Sequence, residues 1–297
     1  MRVLWLLLCA VLAVPAATRK APVFSGASAL AFTRTIVEFG PRTLDSEAHR
    51  KTEQFIAAKA KSFGCDVEQD VWSAQTPAGA VRMANLIART KSTGERRVVI
   101  SGHYDTKNIG NPAFVGANDG GSSAGLLLEL ARVLCSAKTP VPVWLVWFDG
   151  EEATGEHWTQ QDSLYGSRRL AARWLKDGTA AKIRALINVD MIGDKDLRLM
   201  EELGSTDWLR KLVWSTASEL GYGRHFPQNP GGVEDDHTPF LKAGIPALDL
   251  IDFEYGLFNS WWHTERDTLD KLSADSFTIM GRVLLRTIEK LGMGQVK

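Results

Sequence analysis

The chain has 297 residues, of which 44% are hydrophobic and 24% charged, a composition typical of a globular protein with one sizeable core. Lysine plus arginine and aspartate plus glutamate both number 35, so the formal net charge is zero. This balance gives no electrostatic reason to expect nucleic acid or a membrane surface as a partner. The ligand therefore has to be sought in local motifs.

The N-terminus is typical of a secretory signal peptide, with a charged start, an apolar run from Val3 to Val14 and small residues after Pro15. The apolar run is shorter than the roughly 20 residues that a membrane-spanning helix needs. We expect residues 1–17 to be removed, which leaves one domain at 18–297 that is secreted or periplasmic and has no membrane partner. The oligomeric state stays open, and a monomer is compatible with the sequence.

Two cysteines remain after the signal region, Cys65 and Cys135. Export would permit them to pair, because disulfides persist in oxidising compartments. Each stands at the end of a different predicted helix, however, and nothing in the sequence brings the two together. We expect two buried thiols.

Hydrophobic periodicity predicts an alternation of helices and strands after the signal region. The predicted helices are 26–38, 44–64, 122–134, 166–176, 205–220 opened by Ser205, and 273–291. The predicted strands are Met83–Ala88, Arg97–Ser101, Val143–Phe148, Ala185–Val189 and Ile245–Ile251. This order predicts a three-layer α/β sandwich, in which helices flank a central, mostly parallel or mixed β-sheet.

The unbroken apolar run Val143–Phe148 indicates a central strand that is buried on both faces. The long irregular stretches 106–118, 152–165 and 224–236 are candidates for functional loops. Ligands of open α/β sheets gather at the carboxyl ends of the strands. Residues that directly follow the predicted strands therefore come first in a search for a site.

Histidines and carboxylates follow almost every predicted strand. They are His103, Asp105, Asp119, Asp149, Glu151, Glu152, Asp190 and His263. A lone histidine is more often a core or surface residue, and a Glu-Glu pair is usually solvated, so each signal alone is weak. Their coincidence at one edge of the sheet predicts a metal site, and oxygen and imidazole ligands without thiolate suit a catalytic zinc.

This constellation resembles the zinc aminopeptidase family with co-catalytic metals, from about residue 40 to the C-terminus. Five residues match its metal-binding positions and Glu151 matches its general base; the five are His103, Asp119, Glu152, Asp190 and His263. The resemblance implies a zinc-dependent catalytic domain. It also implies a cis peptide bond between Asp119 and Gly120.

A narrower resemblance links the segment from Asp149 to Arg168, with its His157-Trp158 pair, to the animal-type glutaminyl cyclases. It implies that N-terminal glutamine of peptides is closed into pyroglutamate with release of ammonia. The residues that fall on functional positions of those enzymes are Asp119, Glu152 and His263 for a single zinc, Glu151 for the proton shuttle, and Asp190 and Asp235 for its hydrogen-bonding carboxylates.

The same resemblance places Trp158, Phe258 and Trp262 in the substrate pocket. Glu234 stands where the animal enzymes carry glutamine, and Asp249 where they carry histidine. The alternative is a secreted aminopeptidase with two zinc ions, in which His103 and Asp190 bind the second metal. A non-catalytic binding protein of the same fold should have lost ligands, whereas every expected ligand is present here.

Overall fold

The computed structural model describes residues 22–294, so the predicted signal peptide lies outside the described residues. The helices are α1 (Gly26–Glu38), α2 (Glu47–Ser62), α3 (Gly121–Leu134), α4 (Tyr165–Lys176), α5 (Asp207–Glu219), α6 (Thr238–Lys242) and α7 (Ala274–Gly292). The strands are β1 (Asp66–Thr76), β2 (Gly79–Arg89), β3 (Arg97–His103), β4 (Val143–Phe148), β5 (Ile183–Asp190), β6 (Glu201–Glu202), β7 (Pro230–Gly231) and β8 (Ala247–Ile251).

Serine caps fix the beginning of three helices. The side chain of Ser25 accepts a hydrogen bond from the backbone N–H of Ser28 at the start of α1. Ser46 does the same for α2 and Ser273 for α7. Such caps satisfy N–H groups that have no partner inside the helix, which stabilises each helix by about 1 kcal/mol.

Six strands form the central sheet in the order β1-β2-β4-β3-β5-β8. The pairs β1/β2 and β2/β4 are antiparallel, whereas β4, β3, β5 and β8 run parallel to one another. The predicted mixed sheet is confirmed. Because four parallel strands end at the same edge, the residues that follow them meet there.

Alternate side chains of the central strands point into two separate apolar clusters. In β3, Val98 and Ile100 belong to the larger cluster, whereas Val99 belongs to the smaller one. Helices α1, α2, α3, α5 and α7 cover the larger cluster, and α4 and α6 cover the smaller one. The predicted three-layer sandwich is confirmed.

Within the described residues, none of the helices combines the length and apolar character that crossing a bilayer requires.

Helix α6 and the two-residue strands β6 and β7 were not predicted, and two longer elements also differ from the sequence-based expectation. Strand β1 was not predicted, because it lies at the edge of the sheet and only Asp70 and Ala74 of its side chains are buried, so its pattern is polar. Helix α5 begins after Thr206. Ser205 instead donates hydrogen bonds from its backbone N–H and its hydroxyl to Glu202 Oε2, at 2.6 and 2.7 Å.

Cys65 and Cys135 form a disulfide, so the prediction of two free thiols is wrong. Cys65 precedes β1 and Cys135 follows α3, and their Cα atoms lie 5.1 Å apart. The two positions meet because α2 and α3 pack in the same helical layer and end close together. Because the two cysteines are 70 residues apart in the sequence, the sequence alone does not indicate that they lie close together.

The predicted cis peptide bond is also wrong. No peptide bond between residues 22 and 294 is cis. The chain turns after Asp119 through Gly120, which adopts a φ of 71°. A Cβ at this position would lie 2.5 Å from the carbonyl oxygen of Asp105, so only glycine fits this turn.

The disulfide predicts a stability effect. Replacing both residues in a Cys65→Ser/Cys135→Ser variant should lower the free energy of unfolding by about 2–4 kcal/mol, because the unfolded chain regains the freedom of a long loop. Urea unfolding followed by tryptophan fluorescence measures the change. Wild-type protein unfolded with a reductant serves as the control and should match the variant. Equal stability of oxidised wild type and variant would contradict the prediction.

Glu202 predicts an acid-side stability effect. Burial acts to raise its pKa, but hydrogen bonds from His237, Ser205 and Gly204 outweigh burial and lower the pKa to about 2. Since the folded pKa lies below the ordinary value of 4.5, the carboxylate contributes stability above pH 4.5 and loses it as the pH falls toward 2. A Glu202→Gln variant should lose about 1–2 kcal/mol at pH 7.

Comparing the free energy of unfolding of the variant with that of wild type isolates the contribution of the Glu202 carboxylate. The stability difference between wild type and Glu202→Gln, measured by urea unfolding, should shrink as the pH falls from 5 toward 3. The exposed Glu38→Gln variant is the matched control and should follow wild type throughout. A stability difference that is independent of pH would refute this role of Glu202.

Candidate active site

The parallel strands bring the predicted metal ligands together at one edge of the sheet. His103 is the last residue of β3, and Asp190 is the last residue of β5. Glu152 follows the end of β4, and Asp119 stands just before α3. His263 comes from the loop between β8 and α7.

One cluster consists of Asp119, Glu152 and His263. The Nε2 atom of His263 lies 2.8 Å from Glu152 Oε1 and 3.2 Å from Asp119 Oδ2. Asp119 and Glu152 are buried, and His263 is partly exposed. His263 adopts a φ of 52°, a left-handed conformation that is uncommon for a histidine and that aims its ring at the two carboxylates.

A second cluster consists of His103, Asp119 and Asp190. The Nε2 atom of His103 lies 3.2 Å from Asp119 Oδ1 and 3.2 Å from Asp190 Oδ1. All three side chains are buried. Asp119 therefore belongs to both clusters, with one carboxylate oxygen toward each histidine.

The donor atoms fit divalent metal ions. In each cluster a histidine nitrogen and two carboxylate oxygens lie within 4.8 Å of one another, a donor set that zinc accepts in catalytic sites. Asp119 Oδ2 is buried, and although it lies 3.2 Å from His263 Nε2, it accepts no hydrogen bond of good geometry within residues 22–294. Buried polar atoms left unpaired by the protein are expected where an additional ligand belongs.

The electrostatics of the first cluster, Asp119, Glu152 and His263, also favour a bound cation. Burial acts to lower the pKa of His263, but Glu152 and Asp119 outweigh it and raise the pKa to about 10. Burial raises the pKa of Glu152, and the charge of Asp119 adds to this effect. A cation between these carboxylates would relieve their mutual repulsion.

Asp267 fixes the loop that carries Asp119. Its carboxylate accepts hydrogen bonds from the backbone N–H groups of Asn118, at 2.8 Å, and Asp119, at 3.1 Å. The hydroxyl of Tyr255 donates a further hydrogen bond to Asp267 at 2.7 Å. Sequence reasoning missed Asp267, because an aspartate in a polar loop carries no signal of its own.

Arg42 holds the same loop from the other side. Its guanidinium is fully buried and donates hydrogen bonds to the carbonyl oxygens of Tyr104, Val115, Gly116 and Asp119 at 2.5–3.1 Å. Burial lowers the pKa of Arg42 to about 10, and nearby aspartates oppose this effect. The arginine thereby ties the segment after β3 to the loop before α3.

Glu151 is the buried acid next to both clusters. Its Oε2 atom lies 3.9 Å from His103 Nδ1. Its backbone N–H and that of Glu152 donate hydrogen bonds to Asp105, each at 3.2 Å. Burial raises the pKa of Glu151 well above its ordinary value, and the charges of Glu152 and Asp235 add to the effect against that of His103.

The resemblance implies that Asp190 and Asp235 form hydrogen bonds with Glu151, but in the structure both carboxylates contact other residues. Asp190 contacts His103, and Asp235 accepts a hydrogen bond from the side-chain amide of Asn188 at 3.1 Å. The same amide of Asn188 donates to Asp249 at 3.1 Å. Within the described residues, no hydrogen bond joins Glu151 to Asp190 or Asp235, and Asp235 raises the pKa of Glu151 through its charge.

A cavity of about 400 Å³ opens beside the clusters. Its walls contain Asp119, Glu151, Glu152, Asp190, Asp235 and His263, together with Lys107, Glu156, His157, Trp158, Val233, Glu234, Ile251, Phe253 and Trp262. Trp158, Trp262 and Glu234, which the resemblance assigns to a substrate pocket, line this cavity. All three predicted functional loops contribute to the walls.

Phe258 does not lie where it was predicted. Its side chain is 93% exposed, and it is not among the residues that line the cavity. Phe258 adopts a φ of 55° within a tight turn. Phe253 provides the wall instead, and its ring packs edge-on against Trp262 with 5.1 Å between ring centroids.

The site predicts metal loss on removal of a ligand. A His263→Ala variant should bind Zn²⁺ at least about 100-fold more weakly than wild type, because it removes one of three donors. Zinc content after dialysis against a weak chelator, measured by atomic emission, tests this. His157→Ala is the matched control, since His157 lines the same cavity with a side chain 83% exposed and belongs to neither cluster. Equal zinc content in the two variants would overturn the assignment.

The chain is similar to known enzymes. The chain matches peptidase family M28 over residues 85–288. A glutaminyl-peptide cyclotransferase of Drosophila melanogaster is 29% identical over 272 residues, which cover 82% of this chain and 76% of the fly protein.

Two solved structures share the fold over nearly their full length. A glutaminyl cyclase of an Acidobacteriales bacterium superposes with a TM-score of 0.87 at 39% identity, over 95% of this chain and 100% of that one. A Zn-dependent exopeptidase of Parabacteroides distasonis superposes with a TM-score of 0.81 at 28% identity, over 91% of this chain and 99% of that one.

Proposed function

We propose that this chain, which belongs to peptidase family M28, is a glutaminyl-peptide cyclotransferase that converts N-terminal glutamine of peptides and proteins into pyroglutamate and ammonia. One observation carries the proposal: a buried acid with a raised pKa, Glu151, lies beside the Asp119–Glu152–His263 cluster in a small cavity walled by Trp158 and Trp262. The similarity to cyclases of a fly and of a bacterium supports it.

Asp119, Glu152 and His263 would hold one zinc ion per chain, which when bound supplies a Lewis acid for the γ-carboxamide oxygen of the substrate. The protein contributes a cavity of about 400 Å³ around the reacting atoms. Its floor is formed by buried carboxylates, and its walls by Trp158 and Trp262. Aromatic walls bury the methylene groups of a glutamine side chain and exclude water.

Glu151 is proposed to move the proton. The α-amine nitrogen of the substrate forms a bond to the γ-carbonyl carbon, and the bond from that carbon to the amide nitrogen breaks. Glu151 accepts a proton from the α-amine and returns it to the departing ammonia, so no water molecule is consumed. A carboxyl whose pKa is raised by burial is suited to both steps near neutral pH.

Asp190 and Asp235 are proposed to act on Glu151 as positioning and charge-tuning residues. Asp235 raises the pKa of Glu151 through its negative charge. Burial raises the pKa of Asp190 itself to about 7, against the opposing effect of His103. The reacting atoms belong to one molecule, so the enzyme gains mainly from their orientation.

An aminopeptidase with two zinc ions is the second candidate. The His103–Asp119–Asp190 cluster favours it, because Asp119 offers one oxygen to each cluster. The similarity to an exopeptidase of P. distasonis is consistent with it. The two activities differ in their products, since a peptidase hydrolyses the first peptide bond and a cyclase leaves it intact.

Export of the protein is part of the proposal. Residues 1–17 are proposed to be a signal peptide, and residues 18–297 one zinc-dependent domain that is secreted or periplasmic. The Cys65–Cys135 disulfide supports an oxidising compartment, since such bonds are rare where thiols are kept reduced.

A Glu151→Gln variant tests the proton-transfer role. Its kcat for ammonia release from a glutamine-initiated peptide should fall at least 100-fold, because the amide cannot accept the proton. Zinc content should stay at the wild-type level, since Glu151 belongs to neither cluster. The exposed Glu95→Gln variant is the matched control and should keep wild-type kcat. A Glu151→Gln enzyme with kcat near wild type would contradict the mechanism.

A further inference from the structure

The residues around the cavity divide into a buried floor and an exposed rim. Asp119, Glu151 and Glu152 are 3–7% exposed. In contrast, Trp158 is 38% exposed, and the side chain of Glu156 is 88% exposed. A substrate whose first residue reaches Glu151 must leave the cavity past the rim. Its second residue therefore passes between the rim side chains.

The rim carries negatively charged residues that neither bind the proposed metal nor transfer the proton. Glu234 and Glu156 both line the cavity, and neither belongs to a metal cluster. The side chain of Glu234 is 31% exposed, so solvent reaches it only in part. Trp158 lines the same rim, and an indole face beside carboxylates is a favourable surface for a cation.

Lysines near the rim offset only part of this negative charge. Lys107 is the one lysine or arginine among the described lining residues. Its ammonium is committed to the carbonyl oxygens of Ala153 and Gly155, at 2.9 and 2.7 Å. Lys242 lies 3.3 Å from Glu234, but its side chain is 65% exposed and it does not line the cavity. Exposed pairs of this kind contribute little.

The rim segment is held in place by the protein. Asp162 accepts hydrogen bonds from the backbone N–H groups of Thr154, at 3.1 Å, and Gly155, at 2.7 Å. Lys107 holds the carbonyl oxygens of the same segment. Glu156 and Trp158 therefore extend from a loop that is fixed directly before them. A fixed loop can discriminate between substrates without first having to order.

We propose that this rim selects peptides with a cationic residue directly after the N-terminal glutamine, and that Glu234 is the main specificity-determining residue. The proposal rests on the cyclotransferase activity proposed above. Because the formal net charge of the chain is zero, the preference has to come from these local charges rather than from the field of the whole protein. Glu156 and Trp158, which line the same cavity from the loop after β4, reinforce it.

The test compares three peptides, Gln-Lys-Ala, Gln-Ala-Ala and Gln-Glu-Ala, each with an amidated C-terminus, in wild-type enzyme at low ionic strength. One partly exposed charge contact changes an equilibrium constant by about two- to fivefold. The value of kcat/KM should therefore be about tenfold higher for Gln-Lys-Ala than for Gln-Glu-Ala, with Gln-Ala-Ala between them. Raising the salt concentration to 0.5 M should reduce this ratio to less than about threefold.

Variants assign the effect to the rim. Glu234→Gln should lower the Lys-to-Glu ratio by about threefold, and Glu156→Gln by about twofold. Glu95→Gln is the matched control: it removes the same charge at the opposite edge of the sheet, where Glu95 precedes β3, and should leave the ratio unchanged. The ratio compares substrates of one enzyme, so it is independent of the amount of folded protein.

The outcomes separate the two proposals. If the wild-type enzyme releases ammonia from all three peptides within a twofold range, the rim proposal is wrong and the cyclotransferase proposal stands. If the ratio is large but unchanged in both Glu234→Gln and Glu156→Gln, the rim is not its source. If wild-type enzyme releases ammonia from none of the peptides, the cyclotransferase proposal itself is wrong.

Discussion

The architecture depends on burying several carboxylates at one edge of a parallel sheet. Asp119 is the most constrained of them, because each of its two oxygens faces a different histidine. Carboxylates removed from water repel one another strongly, and the penalty is relieved by cations, protons or hydrogen-bond donors. The two histidines, the raised pKa values of neighbouring acids and the donor sets for divalent metal all follow from this one constraint.

The surrounding structure supports the charged centre through the backbone. Arg42 and Asp267 hold the loop before α3 by hydrogen bonds to its carbonyl and N–H groups, and Asp105 holds the backbone of Glu151 and Glu152. These contacts fix the donor atoms without using them. Positioning of this kind is what metal sites and acid/base catalysts require from the residues behind them.

Much of the fold could be predicted from the periodicity of hydrophobic residues. The candidate metal ligands could be predicted from the positions of polar residues relative to the ends of the strands. The apolar runs of the central strands, each with a polar residue at or just after its end, place His103, Glu152 and Asp190 at one edge. Contacts over long sequence distances could not be read in this way. The Cys65–Cys135 disulfide depends on how two helices end beside each other, and Phe258 points outward because of its local backbone conformation.

The identity of the reaction is tested most directly by the products formed from two peptides, one initiated by glutamine and one by leucine, when zinc-loaded enzyme is added to both. Mass spectrometry identifies every product. The account predicts that the glutamine peptide loses one ammonia with all peptide bonds intact and that the leucine peptide is unchanged. Release of free leucine, with the glutamine peptide left uncyclised, would contradict it.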